Sequence, residues 1–145
     1  MGVSPLTQLS CGLVSDFPLD YMQLVCLAVV RKLLHLWIHG PCCTRMSHNH
    51  LASISGLLQA MRPHIPCDFS RKPRSLFEHK HSKATELRLF LLYTGPVCLK
   101  GVLQPDLYAN FLDLSVAVRL LLCHSSRIRY ADYAENLLKY FVSCF

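Results

Sequence analysis

The chain has 145 residues, with 15 Lys+Arg against 9 Asp+Glu and a formal charge of +6 when histidine is neutral. Apolar residues make up 52% and charged residues 17%, below the roughly 25% charge of ordinary soluble domains. That composition excludes general disorder, and 6 glycines with 8 prolines in no period exclude a collagen-like or low-complexity chain. One domain's length with so little charge implies docking on a partner, a membrane setting, or membership of a larger protein.

Residues 1–15 show no hydrophobic period and read as a loose leader, with neither the basic n-region nor the unbroken apolar run of a signal peptide. Asp16-Phe17-Pro18-Leu19-Asp20 is a turn, and a helix is expected over Leu19–His39, apolar nearly all round and so buried on several sides. Its apolar stretch Leu24–Ile38 holds Arg31, Lys32 and His35 near the middle, and a second stretch, Leu114–Cys123, is interrupted by Arg119. Charges at those depths are costly in a bilayer, so no spanning segment and no membrane partner are expected. Gly40-Pro41 stops the first helix.

Ser47 opens a second helix, expected at Ala52–Arg62, on the spacing of Leu51, Ile54, Leu57, Leu58 and Met61. Residues 63–81 read as a connector with Pro63, Pro66, Pro73 and the basic cluster Arg71-Lys72-Pro73-Arg74. It is long for a loop inside a compact domain. Ser82 is the expected N-cap of a helix over Lys83–Thr94, with Glu86 in the first turn, and Gly95-Pro96 should break or kink it. Pro105 starts a helix expected to reach His124, with the stripe Leu107, Phe111, Leu114, Val118 and Leu121. Ser125-Ser126 interrupt, and Tyr130–Ser143 forms the last helix with Tyr133, Leu137, Tyr140 and Cys144 on one face. No period-two alternation occurs. The fold class is therefore all-α, an irregular bundle of about five helices in a single region 16–145.

The 8 cysteines lie mostly in apolar runs, as in Leu24-Val25-Cys26-Leu27. There Cys acts as a small hydrophobe, so reduced thiols and a nuclear or cytoplasmic place are expected. His39, Cys42, Cys43, His48 and His50 are close in sequence, but adjacent cysteines do not make the usual two-to-four-residue chelate. They are expected as surface histidines and packed thiols, with no metal and no cofactor. Arg71, Lys72 and Arg74 form the one compact basic patch, flanked by Phe69 and Phe77; it reads first as a solvated linker and second as a candidate for phosphate contacts with nucleic acid. No Gly-rich phosphate loop, GxSxG or HExxH occurs.

Several segments, taken together and in order, resemble a known family. Phe17-Pro18-Leu19-Asp20-Tyr21-Met22-Gln23-Leu24-Val25-Cys26-Leu27 is similar to a "DYMHLVCLG" segment, and Phe69–Leu76 to "F-x-R-K-P-R-S-L". Lys83-Ala84-Thr85-Glu86 with Leu89–Val97 resembles "KATE...FLLYTGPV", and Tyr133–Val142 a following helix. The family is that of transposase-derived proteins of animal genomes, similar to CACTA-type (En/Spm) transposases. The resemblance implies a ribonuclease-H-like catalytic fold whose acidic triad holds two divalent ions for phosphodiester chemistry. Asp20 falls on the first residue of its "D-x-x-H" signature and Glu86 on the acidic residue of "KATE". Gln23 stands in place of the expected His, and His81-Ser82 where the family has Trp. The strand-borne acidic residues have no place before Asp16. What the resemblance implies is thus a truncated helical portion without catalytic competence, in which Asp20 and Glu86 are vestigial. It would retain at most weak DNA binding through Arg71, Lys72 and Arg74, or self-association and protein binding through exposed apolar surface. The alternative reading is a helical protein-interaction module unrelated to DNA.

Overall fold

A computed structural model describes residues 20–144 of the chain; the leader 1–15 and the turn residues up to Leu19 lie outside the described residues. Among the described residues the fold is all-α, without a strand. The first helical run, Met22–His39, is wound in a wide π register over Met22–Val30 and continues as α1, Arg31–His39. Asp20 starts it: its Oδ1 accepts from the Met22 N–H at 2.8 Å, and its carbonyl accepts from Leu24 N–H at 2.8 Å. Met22–His39 is long and apolar enough to cross a membrane by length and composition. In this fold Cys26, Val30, Leu33, Leu34 and Trp37 enter the core, while Leu24 is 45% exposed. The run is thus packed on one side, not on several as its composition implies.

Helix α2, His48–Met61, begins at Ser47 as expected, whose Oγ accepts from the His50 N–H at 3.2 Å. It starts four residues earlier than its apolar spacing indicates, because the polar first turn is held by that cap. A 3₁₀ turn, Arg62–His64, closes it. The connector is more ordered than its prolines suggest. Ser75 Oγ caps a second 3₁₀ segment, Leu76–His81, from which Leu76 and His79 reach the core. The Leu76 N–H donates to Ser55 Oγ of α2 at 3.2 Å.

Helix α3, Ala84–Leu89, has Lys83 and not Ser82 at its N-cap. Ser82 is buried instead, its carbonyl accepting from Arg31 Nη2 at 2.8 Å. Gly95-Pro96 does not end the run: α3 passes through a π turn, Phe90–Thr94, into α4, Gly95–Cys98. In the wide turn the Gly95 N–H reaches back five residues to the Phe90 carbonyl, and Pro96 has no N–H to donate. The Leu91 and Leu92 carbonyls lose their usual α-helical donors, and the facing helix supplies others. Ser115 Oγ donates to Leu91 O at 2.8 Å, and the Arg119 guanidinium donates to Leu92 O. The chain turns at Gly101, whose φ of +73° suits glycine.

Helix α5, Pro105–Leu122, buries Phe111, Leu114, Ser115, Ala117 and Val118. The Phe111 ring meets Trp37 edge-on at 5.7 Å and Phe90 at 5.9 Å, so α1, the π turn and α5 share one core. The break after α5 falls at Cys123, and Ser125 and Ser126 lie inside a short helix, α6, His124–Arg129. The last helix, α7, Ala131–Ser143, packs on α5 through Ala134 and Phe141. Of the expected face Tyr133, Leu137, Tyr140 and Cys144, the two tyrosines are 55% and 59% exposed and Cys144 is exposed, while Leu137 is half-buried. Ala134, Leu137, Leu138 and Phe141 mark the inner side.

Candidate functional site

The basic connector folds against α2 and α3 around a polar groove of about 430 Å³, where Arg62, Arg71, Lys72 and Arg74 face Glu78 and Glu86. The four cations are not equivalent. Arg74 Nη1 pairs with Glu78 at 3.2 Å and its Nη2 with Glu86 at 3.2 Å. These two carboxylates, Glu86 first, raise the guanidinium above its ordinary range. The Lys72 ammonium donates to the Ile65 carbonyl. Arg71 and Arg62 are exposed and form no ion pair among the described residues. Arg62, at the end of α2, is a cation the linear patch did not include; only folding brings it beside Arg71.

The flanking aromatics split. Phe69 is half-buried, edge-on to Tyr93 at 5.5 Å, while Phe77 is 51% exposed with its ring 5.5 Å from His48. Only Phe77 offers an open ring on which a base could stack.

Both candidate carboxylates serve the backbone. Glu86 is 8% exposed; its Oε2 accepts from the Lys83 N–H at 2.8 Å, closing a capping interaction, while Oε1 takes Arg74. Asp20 is exposed and caps the first run through Met22 N–H. Gln23 is exposed on the next turn.

Histidines converge elsewhere. His35 and His39 stand one helical turn apart on α1, and His79 comes from the 3₁₀ segment beneath them. One candidate ligand atom from each lies within 4.8 Å of the others. His79 is 3% exposed, its Nδ1 lies 3.0 Å from the Leu76 carbonyl, and its Nε2 has no hydrogen-bond partner among the described residues. Burial, opposed by that carbonyl, holds this imidazole below its usual range, and His39, His35 and Lys80 add to the lowering. Of the linear set His39, Cys42, Cys43, His48 and His50, only His39 joins a convergent group among the described residues. Cys42 and Cys43 are exposed on the turn after α1, not packed as expected from their type.

An apolar groove of about 440 Å³ lies between Ala28, Val29 and Lys32 of the first run and Phe141 and Val142 of α7. Compared with protein-family models, curated proteins and solved structures, the chain matches none.

Proposed function

We propose that the chain is a non-catalytic, transposase-derived helical module whose activity is binding, with DNA phosphates taken by the groove between α2 and the connector. The observation that carries this reading is the state of Glu86: both oxygens are committed, one to the Lys83 N–H and one to Arg74. A carboxylate that ligates a divalent ion for phosphodiester chemistry must point its oxygens at the ion, together with several others. Here the one family-motif carboxylate that is buried caps a helix, and the other, Asp20, caps the first helical run. Arg71 and Arg62 supply the cations for phosphate, and Phe77, six residues after Arg71, an exposed ring.

The affinity follows from the number of open cations. Each neutralised phosphate contributes a slope of about −0.9 in log affinity against log salt, so two open arginines give a slope of about −2. Titration of labelled duplex at several salt concentrations tests this. Binding with that shallow slope, lost in the Arg62→Gln, Arg71→Gln double variant, is expected, with no metal-dependent nicking by wild type. Nicking that disappears in Glu86→Gln overturns the non-catalytic reading; salt-insensitive binding overturns the phosphate site.

The second reading, a protein-interaction module, is favoured by one specific surface. Tyr133, Tyr140 and Val142 of α7 are all more than half exposed, next to the apolar groove formed by Ala28, Val29 and Phe141. Self-association through α7 would appear as a concentration-dependent sedimentation coefficient reduced by Tyr140→Glu.

A further inference from the structure

We infer that His35, His39 and His79 form a three-imidazole site for a zinc-class divalent ion, with the fourth position open to water. The proposal is independent of the DNA-binding reading and concerns the opposite end of the connector.

Three observations meet at this point. The first is the spacing. An i, i+4 pair on α1 puts two imidazoles on one helix face, and the 3₁₀ segment brings the third. Ring centroids lie 5.1 Å apart for His35–His39, 5.4 Å for His39–His79 and 6.2 Å for His35–His79. Three imidazoles on one tetrahedral ion with bonds of roughly 2.0–2.1 Å hold their centroids about 5 Å apart. The rings are tilted by 47°, 43° and 44° rather than stacked face to face.

The second observation is the state of His79. A carbonyl only accepts, so the 3.0 Å contact with Leu76 O fixes the proton on Nδ1. Nε2 is left as a lone pair, buried and without a partner among the described residues. A backbone carbonyl on one ring nitrogen that orients the other as a ligand is the usual outer support of a metal-bound histidine. Leaving such a nitrogen buried and unsatisfied otherwise costs stability.

The third is adjustability. The candidate ligand atoms lie within 4.8 Å of one another, and a tetrahedral ion needs them about 3.3 Å apart. His35 and His39 are exposed and can rotate to close the difference, while buried His79 stays as the anchor. The adjoining groove, about 390 Å³, is lined by Arg31, Lys32 and Lys80 and by no carboxylate. A hard cation such as Ca²⁺ or Mg²⁺, which wants oxygen ligands, has no donors there. Imidazole selects zinc, copper, nickel or cobalt. The cationic rim opposes a bare dication but favours hydroxide or another anion as the fourth ligand.

The test uses the full chain stripped with a chelator and titrated with Co²⁺, then Zn²⁺. The expected result is one equivalent bound, a tetrahedral cobalt spectrum without a thiolate charge-transfer band, and a rise in Tm with Zn²⁺. His35→Gln and His39→Gln, both at exposed positions that leave the core intact, should each weaken binding at least tenfold and abolish the Tm shift. The Cys42→Ser, Cys43→Ser double variant should bind as wild type. Three results overturn the proposal: no stoichiometric binding, a thiolate band lost in the double-serine variant, or unchanged affinity in both histidine variants.

Discussion

Ser115 of α5 donates its hydroxyl to the Leu91 carbonyl at 2.8 Å, across the interface and 24 residues away in the chain. Both residues are buried. The bond exists because the π turn diverts the Gly95 N–H to Phe90 and leaves the Leu91 carbonyl without its usual donor. One turn along, the Arg119 guanidinium serves Leu92 in the same way, and it lies over the Tyr93 ring at 5.5 Å. The two side chains explain how a helix passes through Gly95-Pro96 without a stranded carbonyl. Removing the hydroxyl leaves a buried acceptor unsatisfied, a loss of about 1–3 kcal/mol. Ser115→Ala should therefore lower the urea midpoint at unchanged m-value, and Ser115→Val should not restore it.

Gly95 is required by the same crossing. A Cβ built there meets the Phe90 carbonyl oxygen at 2.6 Å and Phe111 Cζ at 2.8 Å. The Phe111 ring is fully buried against Trp37 and Phe90 and has nowhere to retreat. Although alanine is a better helix former than glycine, Gly95→Ala should destabilise by about 1–3 kcal/mol, the usual range for overpacking. Gly56→Ala is the contrast: its Cβ meets nothing within 4 Å on the exposed face of α2. It should stabilise by about 0.5–1 kcal/mol. A pair of thermal melts moving in the same direction would contradict this account.

The stripe Phe111, Leu114, Val118 was legible because period 3.6 is written in side chains that have no reason to face water. The Ser47 cap was legible for the same local reason. The passage through Gly95-Pro96 was not, since it depends on Ser115 and Arg119 twenty or more residues later. The outward turn of Tyr133 and Tyr140 was hidden by the mixed character of tyrosine, whose ring packs and whose hydroxyl seeks water. In the candidate groove, Arg71 kept the openness its position suggested, whereas Arg74 met two carboxylates, one of them 12 residues away. The histidine cluster joins residues more than 40 positions apart (His35 and His79), and no spacing rule brings those together before the fold does.

Glu86 holds three parts of the chain at once: the start of α3, the connector through Arg74, and indirectly Glu78. Its environment is buried and its partner only partly exposed, so the pair is worth more than a surface bridge. Glu86→Gln keeps the shape and one hydrogen bond but removes the charge facing Arg74. The expected cost is about 1–2 kcal/mol, in the range of a lost helix cap. Glu86→Ala, which leaves the Arg74 fork and the Lys83 N–H without this acceptor, should cost more. A Glu86→Gln melting temperature equal to that of wild type would show that the charge facing Arg74 contributes nothing.

Among the described cysteines, Cys123 should be the reactive thiol near neutral pH. It stands exposed at the N-cap of α6, with its Sγ 3.3 Å from Ser125 Oγ. Hydrogen bonds from the Ser125 hydroxyl, and then from Ser126, favour the thiolate and lower the pKa to about 7. An ordinary cysteine titrates near about 8.5. The thiolate is the nucleophile, so alkylation by iodoacetamide should be slow at pH 6, rise through pH 7 and level off by about pH 8. Ser125→Ala removes the first donor and should move that rise to higher pH, slowing the reaction at pH 7 without changing the plateau. Peptide-resolved mass spectrometry after brief labelling reads Cys123 separately from the other exposed cysteines. A rise centred above pH 8 in the wild-type chain, or a Ser125→Ala profile that coincides with it, would show that the serine hydroxyls do not stabilise the thiolate.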